Sequence, residues 1–555
     1  VHGTSATPLV GETIGACLDR AASRWADRQG LVVRHQGVRW SYGRLAGEVD
    51  AFAAGLLSLG LRPGDRVGIW SPNNAQWVVT QFAAAKTGLV LVTINPAYRP
   101  PELEHALTAV GCRALVVAPR FRDTDRLGML RGLLPEMERQ PPGQLHAARA
   151  PALRVVVQIG EEKEPGTLRF GDVAARAAPE HRRRLAEIAA GVQFDDPVTI
   201  QFTSGTTGAP KAATLTHHAV LNNARFVGET MGLGEGDRLC IPVPLYHCFG
   251  MVLGSLACLA RGATMVYPSE GFDARAVLEA VEAEACSALH GVPTMFLAEL
   301  EHPDFRRFRL DSLRTGVIAG APCPVGLMKR LHSEMHLSAI TIAYGMTETG
   351  PVSFQTSPDD SLEHRLDTVG RVLPHTEVKI VDGAGRVVPV GAPGELLTRG
   401  YCVMRGYWND PERTREAIDE AGWMHSGDLA TLDPDGYCRI VGRIKDMVIR
   451  GGENLFPREI EDVLLRHPAV EDAQVFGVPD PKYGEELCAW IRLRPGHESG
   501  EEEVRRFCGA RLAHFKIPRY VRFVEEFPLT ATGKPQKFAM REEMARDLGV
   551  SEERP

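Results

Sequence analysis

The stretch Thr203 to Lys211 reads T-S-G-T-T-G-A-P-K and constrains the chain more than any other. Its hydroxyls, Gly205 and Gly208 make a loop dense in hydrogen-bond donors, and glycine lets backbone N–H groups approach an anion closely. Lys211 adds a point charge of the kind that phosphate oxygens attract. The apolar, β-branched run Val198-Thr199-Ile200-Gln201-Phe202 predicts a strand leading into the loop. A loop of this type at the carboxyl end of a strand implies an α/β fold, because such sheets bind ligands at that edge. It is not a Walker A loop, which requires Gly-Lys-Ser/Thr, since Pro210 precedes Lys211 and Ala212 follows it. A lone Gly/Ser/Thr turn is more often plain solvated loop. Nine such residues in succession carry the weight here.

At 555 residues the chain is too long for one core, which predicts two or more domains. Ile14, Cys17, Leu18, Ala21, Ala22 and Trp25 recur at helical spacing and predict a helix over 14–25. Strands are expected at 31–33 and 38–40, a helix near 42–59, and further strands at 66–70, 89–93 and 114–117. This alternation up to about residue 191 argues for parallel α/β layers. Residues 140–151 and 174–191 read as surface insertions, the second carrying His181-Arg182-Arg183-Arg184 as a solvated helix face. The net charge of −7 gives no electrostatic footprint for nucleic acid. Eleven scattered cysteines without a C-x-x-C pair point to a reducing compartment. Residues 1–28 show no basic start followed by an apolar core. The apolar run 248–260 falls short of the roughly 20 residues a membrane span needs. A cytoplasmic enzyme without a membrane span is the expectation.

Further along, Pro242 to Gly250 reads P-V-P-L-Y-H-C-F-G, an aromatic turn followed by apolar Met251. Gly291 to Phe296 (G-V-P-T-M-F) and Ala319 to Cys323 (A-G-A-P-C) expose backbone, which suits close approach of an acyl chain or a flat ring. Tyr344 to Gly350 reads Y-G-M-T-E-T-G: an aromatic beside glycine can lie flat on a purine, and Glu348 offers the hard oxygen that magnesium prefers. Asp428, within W-M-H-S-G-D-L, is an acidic residue of the kind that binds ribose hydroxyls. His332 and His336 stand four apart, but Glu334 is misplaced for a zinc-protease helix, so a polar helix face is expected. Beyond Arg443, a strand at 447–450, a helix opened by Pro457, strands at 473–478 and 487–493 and a helix near 501–512 read as a small terminal domain. It closes on Pro528 to Lys537, P-L-T-A-T-G-K-P-Q-K.

Together these stretches resemble the motifs of adenylate-forming enzymes, which include acyl-CoA synthetases, luciferases and the adenylation domains of peptide synthetases. The resemblance covers almost the whole chain and is strongest to the medium-chain fatty acid–CoA ligase branch. It implies an α/β fold: a large N-terminal domain (1–442) of several subdomains, parallel α/β layers plus a β-rich part, and a small α+β C-terminal domain (443–555) that rotates. It implies that Thr203, Ser204, Gly205, Thr206, Thr207, Gly208, Ala209, Pro210 and Lys211 cradle the phosphates of ATP. Gly320, Ala321, Tyr344 and Gly345 would surround AMP, with Tyr344 stacked on adenine. Thr347 would touch the α-phosphate, Glu348 would hold Mg²⁺, and Asp428 would take the ribose with Arg443 as its partner. Lys534 is implied as the catalytic lysine, His247 as a gate and Lys445 as the hinge. Arg450, Gly451, Gly452 and Glu453 would flank coenzyme A, and Tyr246, Met251 and Met295 would line the acyl pocket.

The implied partners are small molecules: a fatty acid, ATP with Mg²⁺, and coenzyme A. A homodimer is compatible with the resemblance. An aryl-CoA ligase would share every motif, a loading enzyme would pass the acyl group to a carrier protein, and a luciferase-like oxygenase would need chemistry these motifs do not reveal. A non-catalytic nucleotide-binding regulator is disfavoured by the joint presence of Lys211, Glu348, Asp428, Arg443 and Lys534. Ala212 stands where the family usually has glycine and is expected to restrict the chain just beyond Lys211.

Overall fold

The computed structural model describes residues 1–203, 210–321, 323–451, 453–529 and 534–550. Their contacts divide the chain into two compact units. The first comprises Val1–Ala319, Val325–Val378 and Thr398–Met424, and the second Gly320–Pro324, Lys379–Leu397 and His425–Pro555. The boundary expected at 442/443 concerns which part moves, a different quantity from this division by contacts.

The first unit is built on two large sheets. One runs Gly406–Tyr407, Lys211–Thr216, Pro197–Thr203, Val90–Thr93, Arg66–Trp70, Cys112–Val117, Val155–Gln158, Leu168–Arg169. From Pro197–Thr203 onward its strands are parallel, and the two strands before it are antiparallel. The other sheet has nine strands, parallel through its middle from Ala339–Tyr344 to Gln29–Val33 and antiparallel at both edges. Near-continuous apolar runs such as Val67–Trp70 and Ala114–Val117 are buried on both faces, as central parallel strands require.

The helices form where the spacing predicts. In Ile14–Arg24, Ile14, Cys17, Leu18 and Ala21 are buried, and the Thr13 hydroxyl caps the start by accepting from Ala16 N–H at 3.1 Å. Burial of aliphatic side chains of this size stabilises by about 1.5–3 kcal/mol each. Tyr42–Ser58 packs against it and against Phe170–Ala174, where Gly55 lets the two chains meet: a β-carbon there would lie 2.0 Å from Val173 O. Two expectations are corrected. Residues 179–191 are a helix that carries Arg182, Arg183 and Arg184 exposed, as expected, but is seated on Tyr42–Ser58 through buried Leu185, and Leu145, Ala147 and Ala150 feed a core, so both stretches pack into the unit rather than stand apart as insertions. Both are too rich in alanine and arginine for a one-sided apolar stripe to show in the sequence. Near its start the chain is tied by Gly3 N–H to Thr376 O (2.8 Å) and His375 N–H to Thr4 O (3.0 Å).

The second unit contains the hairpin Met424–Leu432/Cys438–Arg443 from His425 onward and a further sheet of Glu453–Leu455, Val448–Arg450, Gly484–Leu493, Val470–Asp480 and Tyr520–Phe523. The two-residue period of its strands separates two cores. Ala473, Val475, Leu487, Ala489 and Ile491 pack with helix Pro457–Leu464, whereas Phe476, Val478, Cys488 and Trp490 pack with Met540 of helix Lys537–Leu548. Among the described residues no helix is long and apolar enough to cross a membrane.

Buried His217 joins two helices of the first unit, its Nδ1 accepting from Ile14 N–H at 3.1 Å. Burial lowers its pKa from 6.5 to about 4, against an opposing effect of Asp196. A folded-state pKa below the unfolded value means that this stabilisation is complete above about pH 6.5 and is lost as the pH falls towards 4. His217→Asn keeps an acceptor that does not titrate. The melting-temperature difference between the two proteins should be constant above about pH 6.5 and shift in favour of the variant below it. A flat difference across that window would remove His217 as a titrating tie.

Candidate active site

The loop anticipated from sequence begins where the strand Pro197–Thr203 ends and returns in Lys211–Thr216, with Thr203 and Lys211 opposite one another in the antiparallel ladder. Ser204, Gly205, Thr206, Thr207, Gly208 and Ala209 lie outside the described residues. Pro210 O is 3.4 Å from His105 Nε2. Ala212 sits in the ladder opposite Phe202, buried, with its carbonyl accepting from Trp408 N–H at 2.8 Å. It is therefore a strand residue, and its methyl group has a place in the core.

Three elements meet at the base of this hairpin. Glu348, in the single turn Thr347–Thr349, is buried, and its Oε1 accepts from Thr203 Oγ1 at 3.1 Å and from the Tyr407 hydroxyl at 3.0 Å. Glu348 O accepts from Met404 N–H at 2.9 Å. The Lys211 ammonium lies 5.0 Å from the centre of the Tyr407 ring, a cation–π contact. A buried carboxylate is costly without donors, and here two side chains supply them. Sequence reasoning did not select Tyr407. Its R-G-Y-W context offers an aromatic after glycine and nothing ionisable, so the only signal was adjacency to a strand that pairs with the loop's return.

Thr347 is joined to the aromatic turn, its Oγ1 lying 3.8 Å from Cys248 Sγ. His247 Nδ1 accepts from Phe249 N–H at 3.1 Å, which places the proton of the neutral ring on Nε2. Burial pushes the Tyr246 phenol above its usual pKa, and its hydroxyl has no hydrogen-bond partner among the described residues. Phe249–Leu256 is a π-helix, a form that recurs at functional sites. Met251 within it accepts at Sδ from Gln201 Nε2 (2.9 Å) and at its carbonyl from Gln81 Nε2 (3.3 Å). Met295, on helix Pro293–Leu300, packs partly buried against the same core. Tyr344 ends the strand Ala339–Tyr344 with its ring 6.2 Å from that of Phe354. Gly345 follows, where a β-carbon would lie 2.0 Å from Pro351 O, so only glycine fits this turn.

The remaining candidates belong to the second unit. Gly320 has φ +88°, and Ala321 follows it. Asp428 faces Arg443 across the hairpin, Arg443 Nε donating to its Oδ1 at 3.1 Å. Lys445 is the middle residue of the turn Ile444–Asp446. Partial burial, then the charges of Arg443 and Lys534 among its neighbours, lower the Lys445 ammonium below its usual pKa. Arg450 is bonded to Glu486 (2.6 Å) and stacks 4.2 Å from the Tyr483 ring, Gly451 N–H donates to Tyr483 O (2.8 Å), and Glu453 pairs with Arg450 in the ladder. Gly452 lies outside the described residues. In the first unit, helix Val325–Glu334 stops short of His336, which has φ +59°, so the histidine pair does not share a helix face.

Residues 18–408 match the family model of AMP-binding enzymes, and residues 459–534 match that of the AMP-binding enzyme C-terminal domain. The chain is 45% identical to a relative from Danio rerio named medium-chain acyl-CoA ligase ACSF2, mitochondrial, over 99% of this chain and 91% of that one. It is 46% identical to the putative acyl-CoA synthetase YngI of Bacillus subtilis, over 98% and 99% of the two chains. Among solved structures, the anthranilate CoA ligase AuaEII with anthranoyl-AMP matches with a TM-score of 0.86 at 28% identity, covering 98% of this chain and 99% of that one. The expectation of a cytoplasmic enzyme is overturned by the animal relatives, which are named as mitochondrial. The stretch on which it rested, residues 1–28, holds the helix Ile14–Arg24 of the folded unit. With this match over most of its length, the chain belongs to the AMP-binding enzyme family, as one of its AMP-forming acyl-CoA synthetases.

Proposed function

We propose that the protein is an ATP-dependent fatty acid–CoA ligase that prefers medium-length chains and works through an acyl-adenylate. The observation that carries this reading is 44–45% identity along 99% of the chain to relatives named medium-chain acyl-CoA ligases. The gathering of Thr203, Lys211 and Glu348 at one hairpin supports it.

A carboxylate is a poor acyl donor because oxide leaves badly, and a mixed anhydride with AMP divides the task into two lower barriers. In the first half-reaction a carboxylate oxygen attacks the α-phosphorus of ATP and pyrophosphate departs. Charge grows on phosphate oxygens, so the protein's work is positioning and electrostatic stabilisation. Thr203, the loop 204–209, Pro210 and Lys211 hold the β/γ end, and Thr347 meets the α-phosphate. Tyr344 and Gly345, with Gly320 and Ala321, take the adenine and AMP. Asp428 takes the ribose hydroxyls, its carboxylate oriented by Arg443. Tyr246, Met251 and Met295 line the acyl chain, and His247 gates it. Lys534 bridges the carboxylate and the α-phosphate.

The residues fit Mg²⁺. Glu348 is a buried carboxylate whose side-chain hydrogen bonds among the described residues fall on Oε1. No group of three His, Cys, Asp or Glu that could hold a metal occurs among the described residues, so phosphate oxygens and water would complete the shell, as magnesium prefers. When bound, the ion neutralises phosphate charge. In the second half-reaction the thiolate of coenzyme A attacks the acyl carbon and AMP leaves. For this the small domain, 443–555, turns about Lys445 and brings Arg450, Gly451, Gly452 and Glu453 to the pantetheine arm.

An aryl-CoA ligase is the second reading, favoured by the anthranilate ligase among the structural matches. A pyrophosphate-release assay over an acid panel, with and without coenzyme A, separates the two. Octanoate and decanoate should turn over fastest, and benzoates running well ahead of them would install the aryl reading. Lys534→Ala should slow adenylation on the order of 10²–10³-fold and leave thioester formation from supplied acyl-AMP largely intact. Equal loss of both would make Lys534 structural. Lys445 is the middle residue of a single helical turn, and proline there would fix φ at about −65°. Lys445→Pro, once circular dichroism shows it folded, should still release pyrophosphate in a single turnover and accumulate acyl-AMP, yet form little acyl-CoA. Unimpaired overall acyl-CoA formation would remove Lys445 as the pivot.

A further inference from the structure

One side chain touches both charged groups at the base of the loop. Tyr407 belongs to a two-residue strand, Gly406–Tyr407, that pairs with the loop's return at Ala213. Backbone bonds from Arg405 N–H to Thr214 O (2.9 Å) and from Trp408 N–H to Ala212 O (2.8 Å) fix its place on either side. Its own N–H donates to Thr414 Oγ1 at 2.9 Å. The side chain is buried, with its hydroxyl on Glu348 Oε1 at 3.0 Å and its ring 5.0 Å from the Lys211 ammonium.

We propose that Tyr407 is a positioning residue for adenylation, aiming the Glu348 carboxylate with its hydroxyl while seating the Lys211 ammonium with its ring. The inference rests on the reading of Glu348 and Lys211 as the cation-binding and phosphate-binding groups. Two donors, Tyr407 and Thr203, converge on one carboxylate oxygen from different strands, which fixes the carboxylate plane and turns Oε2 to the remaining side. The ring attracts the ammonium by its quadrupole and offers it no oxygen acceptor that would compete with phosphate. A leucine of similar bulk would do neither.

The two contacts can be removed separately in the full-length protein. Tyr407→Phe deletes the hydroxyl and keeps the ring, and Tyr407→Leu deletes both. The probe is Mn²⁺, followed by the loss of its free electron-paramagnetic signal, in the presence of α,β-methylene-ATP. Tyr407→Phe should weaken Mn²⁺ binding on the order of tenfold, the scale of a hydrogen bond to a charged group, with metal-free binding of the analogue changed less than about twofold. Tyr407→Leu should weaken metal-free binding as well, and if it does not fold, the isosteric phenylalanine variant decides the hydroxyl's role. Glu348→Gln serves as the reference and should weaken Mn²⁺ binding at least as much. Wild-type Mn²⁺ affinity in Tyr407→Phe beside a weakened Glu348→Gln would overturn the inference alone. Wild-type affinity in Glu348→Gln would overturn the assignment of Glu348 and the inference with it. Equal losses of metal-dependent and metal-free binding in Tyr407→Phe would mark a merely structural tyrosine and also overturn it.

Discussion

The convergence of two hydroxyls on Glu348 Oε1 is the contact on which the proposed site depends. Thr203 is 145 residues before this glutamate and Tyr407 is 59 after it, so the bond gathers three distant segments around one atom. A carboxylate removed from water demands such donors, and an unmet one would cost several kcal/mol. That demand is met only if the strand Pro197–Thr203, the turn Thr347–Thr349 and the strand Gly406–Tyr407 all keep their places. Ladder pairing of Lys211–Thr216 with both strands supplies that rigidity.

The two units solve the burial problem in different ways. The first places helices such as Ile14–Arg24 and Tyr42–Ser58 against largely parallel sheets, and its loops emerge at strand ends, where α/β folds bind their ligands. The second includes a sheet with a core on each face, so every residue along Leu487–Ile491 is buried in turn on one side or the other. A small sheet cored on both sides can keep its internal geometry as a body.

Much of this was legible in the sequence where a physical pattern is local. Helical spacing marked Ile14–Arg24 and Tyr42–Ser58 to within a residue or two, and β-branched runs marked Arg66–Trp70 and Cys112–Val117. Glycine with an aromatic marked the turn at Tyr344 and Gly345. Of the alanine-rich helix Pro179–Gly191 only the solvated face at His181–Arg184 was legible, because its apolar stripe is nearly the single residue Leu185. The histidine pair 332/336 misled by spacing alone, since the helix ends between the two. Tyr407 was invisible because its meaning lies in partners that only the tertiary fold supplies. Lys534 and Lys445 carry no local signal of their own, and their roles come from resemblance.

The ties near residues 3 and 4 bear on how the chain is made. The amide of Gly3 and the carbonyl of Thr4 find their partners at Thr376 and His375, and the amide of Ile14 waits for His217. Synthesis is vectorial, so residues 3 and 4 leave the ribosome more than three hundred residues before the segment that secures them. Through that interval the apolar face of Ile14–Arg24 has part of its burial to gain and its closing bonds still missing. Contacts so remote in sequence are slow to form and leave intermediates exposed. The same long-range pairing that completes the finished unit therefore leaves residues 3–14 incompletely tied until residues 375 and 376 have been made.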